Sequence, residues 1–164
     1  MSSEIIVQDS KDVSDIKVSS HSIEAMSERI QLMKKFVSSQ LKESMDGDYA
    51  KIPGTPKKSL LKPGAEKLLL LFKLGFKFTI INQVIDLIIG EISFMTKCEV
   101  YRKEDGVVVG EYIAFCSNKE KKYKNQTPAD IVNTILKMSE KRALVGATIS
   151  ATGASDYFTQ DMEE

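Results

Sequence analysis

The chain has 164 residues, 42% of them hydrophobic and 28% charged, with bases and acids equal in number. That length fits one domain with flanking segments, and that composition supports a packed core. Two cysteines, Cys98 and Cys116, without a CxxC motif, and a single histidine, His21, fall short of the roughly four ligands a structural zinc site needs, so no metal and no cofactor are expected.

A chain with two cysteines and no signal peptide reads as cytosolic and reduced, here the cytoplasm of a bacterial or phage-infected cell. No apolar run reaches the roughly 18 residues needed to span a bilayer, so no membrane partner is expected. The longest candidate, Phe76 to Phe94, is broken by Lys77, Asn82, Gln83, Asp86, Gly90 and Glu91. The zero net charge hides an asymmetry. Residues 1–50 carry a net −3, residues 51–142 a net +7, and residues 143–164 a net −4. A basic middle between acidic ends is the pattern expected of a polyanion-binding core, and equally of a lysine-rich solvated surface.

Residues 1–20 are polar and aperiodic, which predicts a flexible arm. From Ser22 to Lys42, Ile23, Met26, Ile30, Met33, Val37 and Leu41 recur at helical steps, with Ser22 as the N-cap. Asp46-Gly47-Asp48 ends that helix and reads as a turn rather than a metal loop. Residues 49–64 form a loop with short extended pieces, punctuated by Pro53, Gly54, Pro56, Pro63 and Gly64. Pro63 opens a helix to about Leu74, stopped by Gly75, with Leu68, Leu71 and Phe72 on its buried face.

From Phe76 the pattern becomes β. One strand starts at Phe76, and Val84 to Ile89 either continues it or turns back. Ile92 to Tyr101 and Val107 to Phe115 are two more strands, joined at Asp105-Gly106 as a hairpin. Phe94, Thr96, Cys98 and Val100 alternate with Met95, Lys97, Glu99 and Tyr101, so one face is buried. The two cysteines read as small core residues. Thr127-Pro128-Ala129-Asp130 opens the last helix with a cap, a first-turn proline and an acid suited to the dipole. Its apolar stripe is Ile131, Ile135, Met138, Val145 and Ile149, and Gly153 ends it before an acidic tail, 154–164. The expected class is α+β: a small antiparallel sheet built on a β-hairpin, crossed by a long C-terminal helix, with an N-terminal helix.

The residues that suit chemistry are basic. Lys51, Lys57, Lys58, Lys62 and Lys67 are opposed only by Glu66. Lys119, Lys121, Lys122 and Lys124 flank Tyr123. In the last helix Lys137 and Lys141 stand one turn apart, beside Arg142. Lysines neutralise phosphates and release counterions. An aromatic ring among them, Tyr49 or Tyr123, suits base stacking. Gly54-Thr55-Pro56-Lys57-Lys58-Ser59 lacks the glycine before its lysine–serine pair, and no parallel βαβ unit surrounds it, which sets aside a P-loop. His21 lies in the flexible arm, where a general base cannot be held, so no enzyme is predicted.

Leu61-Lys62-Pro63-Gly64-Ala65-Glu66-Lys67-Leu68, followed by Phe72 and Gly75, resembles a segment of phage and prophage single-strand annealing proteins, recombinases of the Erf, Sak and RecT kind. So does the run from Asn133 to Val145, continued by Ala151 to Asp156 and Phe158 to Asp161. Gly110-Glu111 and the Asn118 to Tyr123 segment lie between. The resemblance covers roughly residues 46–162, and makes residues 21–153 the annealing domain. It is similar, more distantly, to the eukaryotic annealing mediator of homologous recombination.

The resemblance implies a homo-oligomeric ring or helical filament that holds single-stranded DNA in a basic groove and anneals complementary strands without ATP. It implies that Tyr49, Lys51, Lys57 and Lys58 line the groove and that Lys137, Lys141 and Arg142 face it. The partners that go with such a protein are single-stranded DNA, the annealed duplex intermediate, and a phage exonuclease or host single-strand-binding protein. The readings kept beside it are a strand-protecting or loading accessory without annealing, a nuclease, and a structural oligomer.

Overall fold

The computed structural model describes residues 19–55 and 57–159. The chain forms two compact units, residues 1–40 and residues 41–164. The first holds helix α1, Ser20–Gln40. Ser19 rather than Ser22 caps it: the Ser19 hydroxyl accepts a hydrogen bond from the Ser22 N–H at 3.1 Å. The helical spacing of Ile23, Met26 and Ile30 is therefore realised. Among the described residues of this unit α1 is the one element, and all three side chains are exposed. The expected flexible arm lies almost wholly outside the described residues.

The second unit is α+β. Short strands β1 (Tyr49–Ala50) and β2 (Lys58–Leu60) frame the lysine loop. Helix α2 spans Lys62–Leu71. Three long strands follow: β3 (Leu74–Asp86), β4 (Glu91–Arg102) and β5 (Val108–Ser117). A 3-10 turn at Lys121–Tyr123 leads to helix α3, Pro128–Thr152. After a second 3-10 turn, Ala154–Asp156, strand β6 (Phe158–Thr159) ends the described chain.

Helix α2 ends three residues before the expected Leu74. Leu74 and Gly75 open β3 instead. Its buried face is Gly64, Ala65, Leu68 and Leu69, while Leu71 and Phe72 are exposed, contrary to the periodic expectation. Small residues set that face. A Cβ on Gly64 would stand 2.2 Å from the Asp48 carbonyl oxygen, so only glycine lets the helix sit this close to the loop.

Strands β3, β4 and β5 form an antiparallel sheet in that order. Val84 to Asp86 continue β3 after a bulge between Ile80 and Asn82, which settles the open question of their pairing. The expected hairpin is present between β4 and β5, with Gly106 at φ 72°. Ile92, Phe94, Thr96, Cys98 and Val100 face inward as their alternation predicts. Cys98 pairs with Tyr112 and Cys116 with Phe94, so the two thiols are not cross-strand partners, and both are free.

Helix α3 covers β4 and β5 and runs back along β5. Ile131 and Ile135 pack with Ile92, Phe94 and Cys116. The Ser139 and Thr96 hydroxyls meet at 2.8 Å in the core. Farther along, Gly110 gives way to Ala151: a Cβ there would lie 2.8 Å from the Ala151 Cβ. Gly153 ends the helix in the left-handed conformation at φ 67°. Strand β3 is left bare by this arrangement, with Phe76, Ile80 and Ile85 exposed on the helix side.

The segment read as an acidic tail departs from expectation. Residues 154–159 fold back, and β6 pairs in parallel with β2 to complete a three-stranded sheet β1-β2-β6. Burial explains it. Phe158 is 2% exposed and stacks at a tilt on Tyr49, 5.3 Å between ring centroids. Residues 160–164 lie outside the described residues.

Candidate nucleic-acid interface

The basic residues fall into three groups spaced along α3, a helix about 38 Å long at the standard rise. Beside its N-terminal half lies the 119–124 segment, with Tyr123 against Ile131 and Glu120 on Arg142. Asn118 ties that segment to the β3–β4 turn, donating to the Gly90 carbonyl at 2.8 Å and accepting from the Ile92 N–H at 3.0 Å. Lys119, Lys121 and Lys122 are exposed. Tyr123 is not: it is 5% exposed, in the cluster with Ile92, Cys116 and Ile131. Burial also pushes its phenol up to about 12. A ring so enclosed presents no face to a base, which corrects the expectation that Tyr123 stacks. Its apolar body won because the turn before α3 needs a plug over the end of the sheet.

Midway along α3, Lys137 is exposed and Lys141 half-buried. Arg142 has a different use. Its guanidinium holds Glu120 through two bonds, at 2.7 and 2.8 Å, and donates to the Phe115 carbonyl at 2.7 Å. Burial alone would raise the Glu120 carboxyl. The Arg142 hydrogen bonds, aided by the Cys116 thiol, outweigh it and hold that carboxyl at about 2. Arg142 thus locks the 119–124 segment to β5, and its donors are engaged there rather than offered to phosphate.

At the C-terminal end lies the lysine loop. Lys57 donates to the Ser155 carbonyl at 2.7 Å, so β2 and the segment after α3 are joined by side chain as well as by strand pairing. Lys58 pairs with Glu43 at 2.7 Å and lies over the Tyr49 ring, 5.3 Å from its centroid. Lys51 donates to the Thr55 carbonyl at 2.5 Å. Lys62 pairs with Glu66 at 3.6 Å. These are surface contacts of the kind that exchange readily for a phosphate. Lys67 differs, because its partner Asp48, at 2.7 Å, is 2% exposed. Burial tends to raise the Asp48 carboxyl, but Lys67 and the Lys42 N–H bonded to it hold it below its usual range. Lys67 is a structural counter-ion.

Tyr49, Lys57, Lys58 and Lys51 are thus brought together, as their proximity in sequence suggested. Sequence reasoning missed the contacts of Glu43, just before the loop, and of Phe158, far along the chain; both reach Lys58 and Tyr49 only through folding. The available signal was faint: an aromatic residue beyond the glycine that closes α3.

Among the described residues no three of His, Cys, Asp or Glu gather to hold a metal ion. Burial pushes the Cys98 thiol up to about 12, with Glu99 adding to it, and the Cys116 thiol up to about 11. Neither is a thiolate at neutral pH. Among those residues no helix is long and apolar enough to cross a membrane. Comparison with protein-family models returns no match, and neither does comparison with curated proteins.

Proposed function

We propose that this chain binds single-stranded DNA as a homo-oligomer and anneals complementary strands without ATP. The observation that carries this reading is the placement of exposed lysines along one long helix: Lys119 and Lys121 beside its first half, Lys137 upon it, then Lys57 and Lys58 at its C-terminal end. Spaced positive charge of that kind neutralises successive phosphates while making no demand on base edges. The bases then stay available to pair. Tyr49, half-buried beneath Lys58, is the aromatic in this reading that would stack on a base once Lys58 turns to a phosphate.

Assembly draws support from β3. It is a 13-residue edge strand whose helix-side residues Phe76, Ile80 and Ile85 are uncovered, and such an edge invites strand pairing with another copy. The segment resemblance described above supports the annealing step; the lysines by themselves support only strand binding.

The test pairs a gel shift with an annealing assay on complementary oligonucleotides. Lys57→Glu with Lys58→Glu is expected to weaken strand binding and slow annealing together. Unchanged binding and annealing would remove the lysine loop from the interface. Faster annealing with added protein distinguishes this function from a strand-protecting accessory, which slows it.

A further inference from the structure

We propose that the β3–β4 turn is an aliphatic wedge for a nucleic-acid strand, with Ile88 entering between neighbouring bases while the lysines of the 119–124 segment hold the adjoining phosphates. This deepens the single-strand reading and rests on it.

Ile88 is 98% exposed, and Leu87 and Ile89 beside it are 56% and 66% exposed. Three consecutive aliphatic side chains at the tip of a hairpin contribute nothing to the core and mark a contact surface. The tip is also held in shape. The Asp86 carboxylate accepts from the Ile88 and Ile89 N–H groups at 2.9 and 3.0 Å, and Gly90 closes the turn at φ 70°. A fixed aliphatic point can part stacked bases, because its apolar surface replaces part of the apolar contact between them.

Charge selects the occupant. Asn118 bonds the base of the turn on both sides of Glu91, at the Gly90 carbonyl and the Ile92 N–H, and Lys119 follows it directly. Lys119, Lys121 and Lys124 are exposed and enter no ion pair among the described residues. Lys122 is spent on Glu120 at 3.3 Å, and Glu120 itself is neutralised by Arg142. Of the remaining acids, Asp86 is bonded into the turn itself through the Ile88 and Ile89 N–H groups. Ile85 and Ile92 pair on the core side of the sheet, so the next pair, Asp86 and Glu91, points to the opposite side. Asp130 belongs to the first turn of α3, where the helix dipole compensates it. A single strand can follow Lys119, Lys121 and Lys124 without lying across Asp86 and Glu91. A flat anionic bilayer receiving the tip end-on meets both, which favours the strand.

The experiment uses the full chain, an oligonucleotide carrying 2-aminopurine, and vesicles containing phosphatidylserine. Bound wild-type protein is expected to raise 2-aminopurine emission, as an unstacked base does. Ile88→Ser should lose that rise and bind about tenfold more weakly, the scale of one base contact. Lys119→Ala with Lys121→Ala should weaken binding and flatten its salt dependence, yet keep the rise at saturation. Ile88→Ser with unchanged affinity and emission overturns the wedge and leaves strand binding standing. Failure of the wild type to bind any oligonucleotide overturns both. Vesicle binding lost in Ile88→Ser, without oligonucleotide binding, assigns the tip to membranes and overturns the proposal. So does a loss of assembly in Ile88→Ser with emission per bound strand intact, which makes the tip a subunit contact.

Discussion

Arg142 grips Glu120 at two points, Nη1 to Oε1 at 2.7 Å and Nη2 to Oε2 at 2.8 Å, and so fastens the segment after β5 to the middle of α3. The pair is partly buried, with 27% of the arginine and 14% of the glutamate side chain exposed. Two-point geometry of this kind is specific to the guanidinium fork.

The carboxyl of Glu120 lies at about 2, below the ordinary glutamate value of 4.5. A folded value below the unfolded one gives stability that is present above about pH 4.5 and lost as pH falls toward 2. The full contribution is about 3 kcal/mol. Glu120→Gln is expected to lose most of it at pH 7 and to flatten the acid limb of the stability curve, as measured by urea unfolding between pH 7 and pH 3. Arg142→Lys should destabilise similarly while leaving the salt slope of strand binding unchanged. A slope reduced by about 0.7 would instead place Arg142 on a phosphate.

Lys58 and Lys67 should separate binding from folding. Lys67→Ala leaves the buried Asp48 carboxylate held by the Lys42 N–H and is expected to cost about 1–2 kcal/mol, reduced by the exposure of the lysine itself. Because Asp48 is held low, the effect should shrink as pH falls through its folded value. Lys58→Ala should leave the unfolding midpoint in place and weaken strand binding. Thermal melts beside gel shifts on the same preparations decide it.

Phe158→Ala should cost about 3 kcal/mol, because the ring is buried against Tyr49 in the small sheet. The lysine loop depends on that sheet through β2, so strand affinity should fall with it, although Phe158 offers no charge. Retained stability would mean that β6 is not needed to hold the loop. Denaturant midpoints check the first statement and gel shifts the second.

Gly64→Ala and Gly110→Ala should each destabilise by about 3 kcal/mol, since the added methyl meets backbone or a packed helix rather than a movable side chain. Gly106→Ala meets open space and pays only for its left-handed backbone, about 1 kcal/mol. Comparing the three unfolding midpoints separates close packing from backbone strain.

Cys98 and Cys116 should resist a disulfide reagent at pH 8 and react fully in denaturant, because burial holds both thiols protonated. Rapid native reaction of either would show that the sheet opens locally.

The strands, the hairpin and α3 were legible because each carries its own local signal. Alternation marks β4, Asp105-Gly106 marks the turn, and a proline and a glycine bracket α3. The buried face of α2 was not legible. It is chosen by a close approach to the Asp48 carbonyl, and favours glycine and alanine over larger residues. Tyr123 and Arg142 misled for the same reason. A tyrosine and an arginine among lysines look alike in sequence whether they face solvent or fill a gap, and only the packing around Cys116 and Glu120 separates the two.

The sequence by itself determined the α+β class, the order of the long elements and the basic middle, since periodicity, turn residues and charge are properties of neighbours along the chain. Tertiary structure alone decided that residues 154–159 return to pair with β2, that Arg142 is a brace, and that three aliphatic residues stand bare beside Lys119. Those facts depend on which distant surfaces meet, and burial and desolvation are set only when they do.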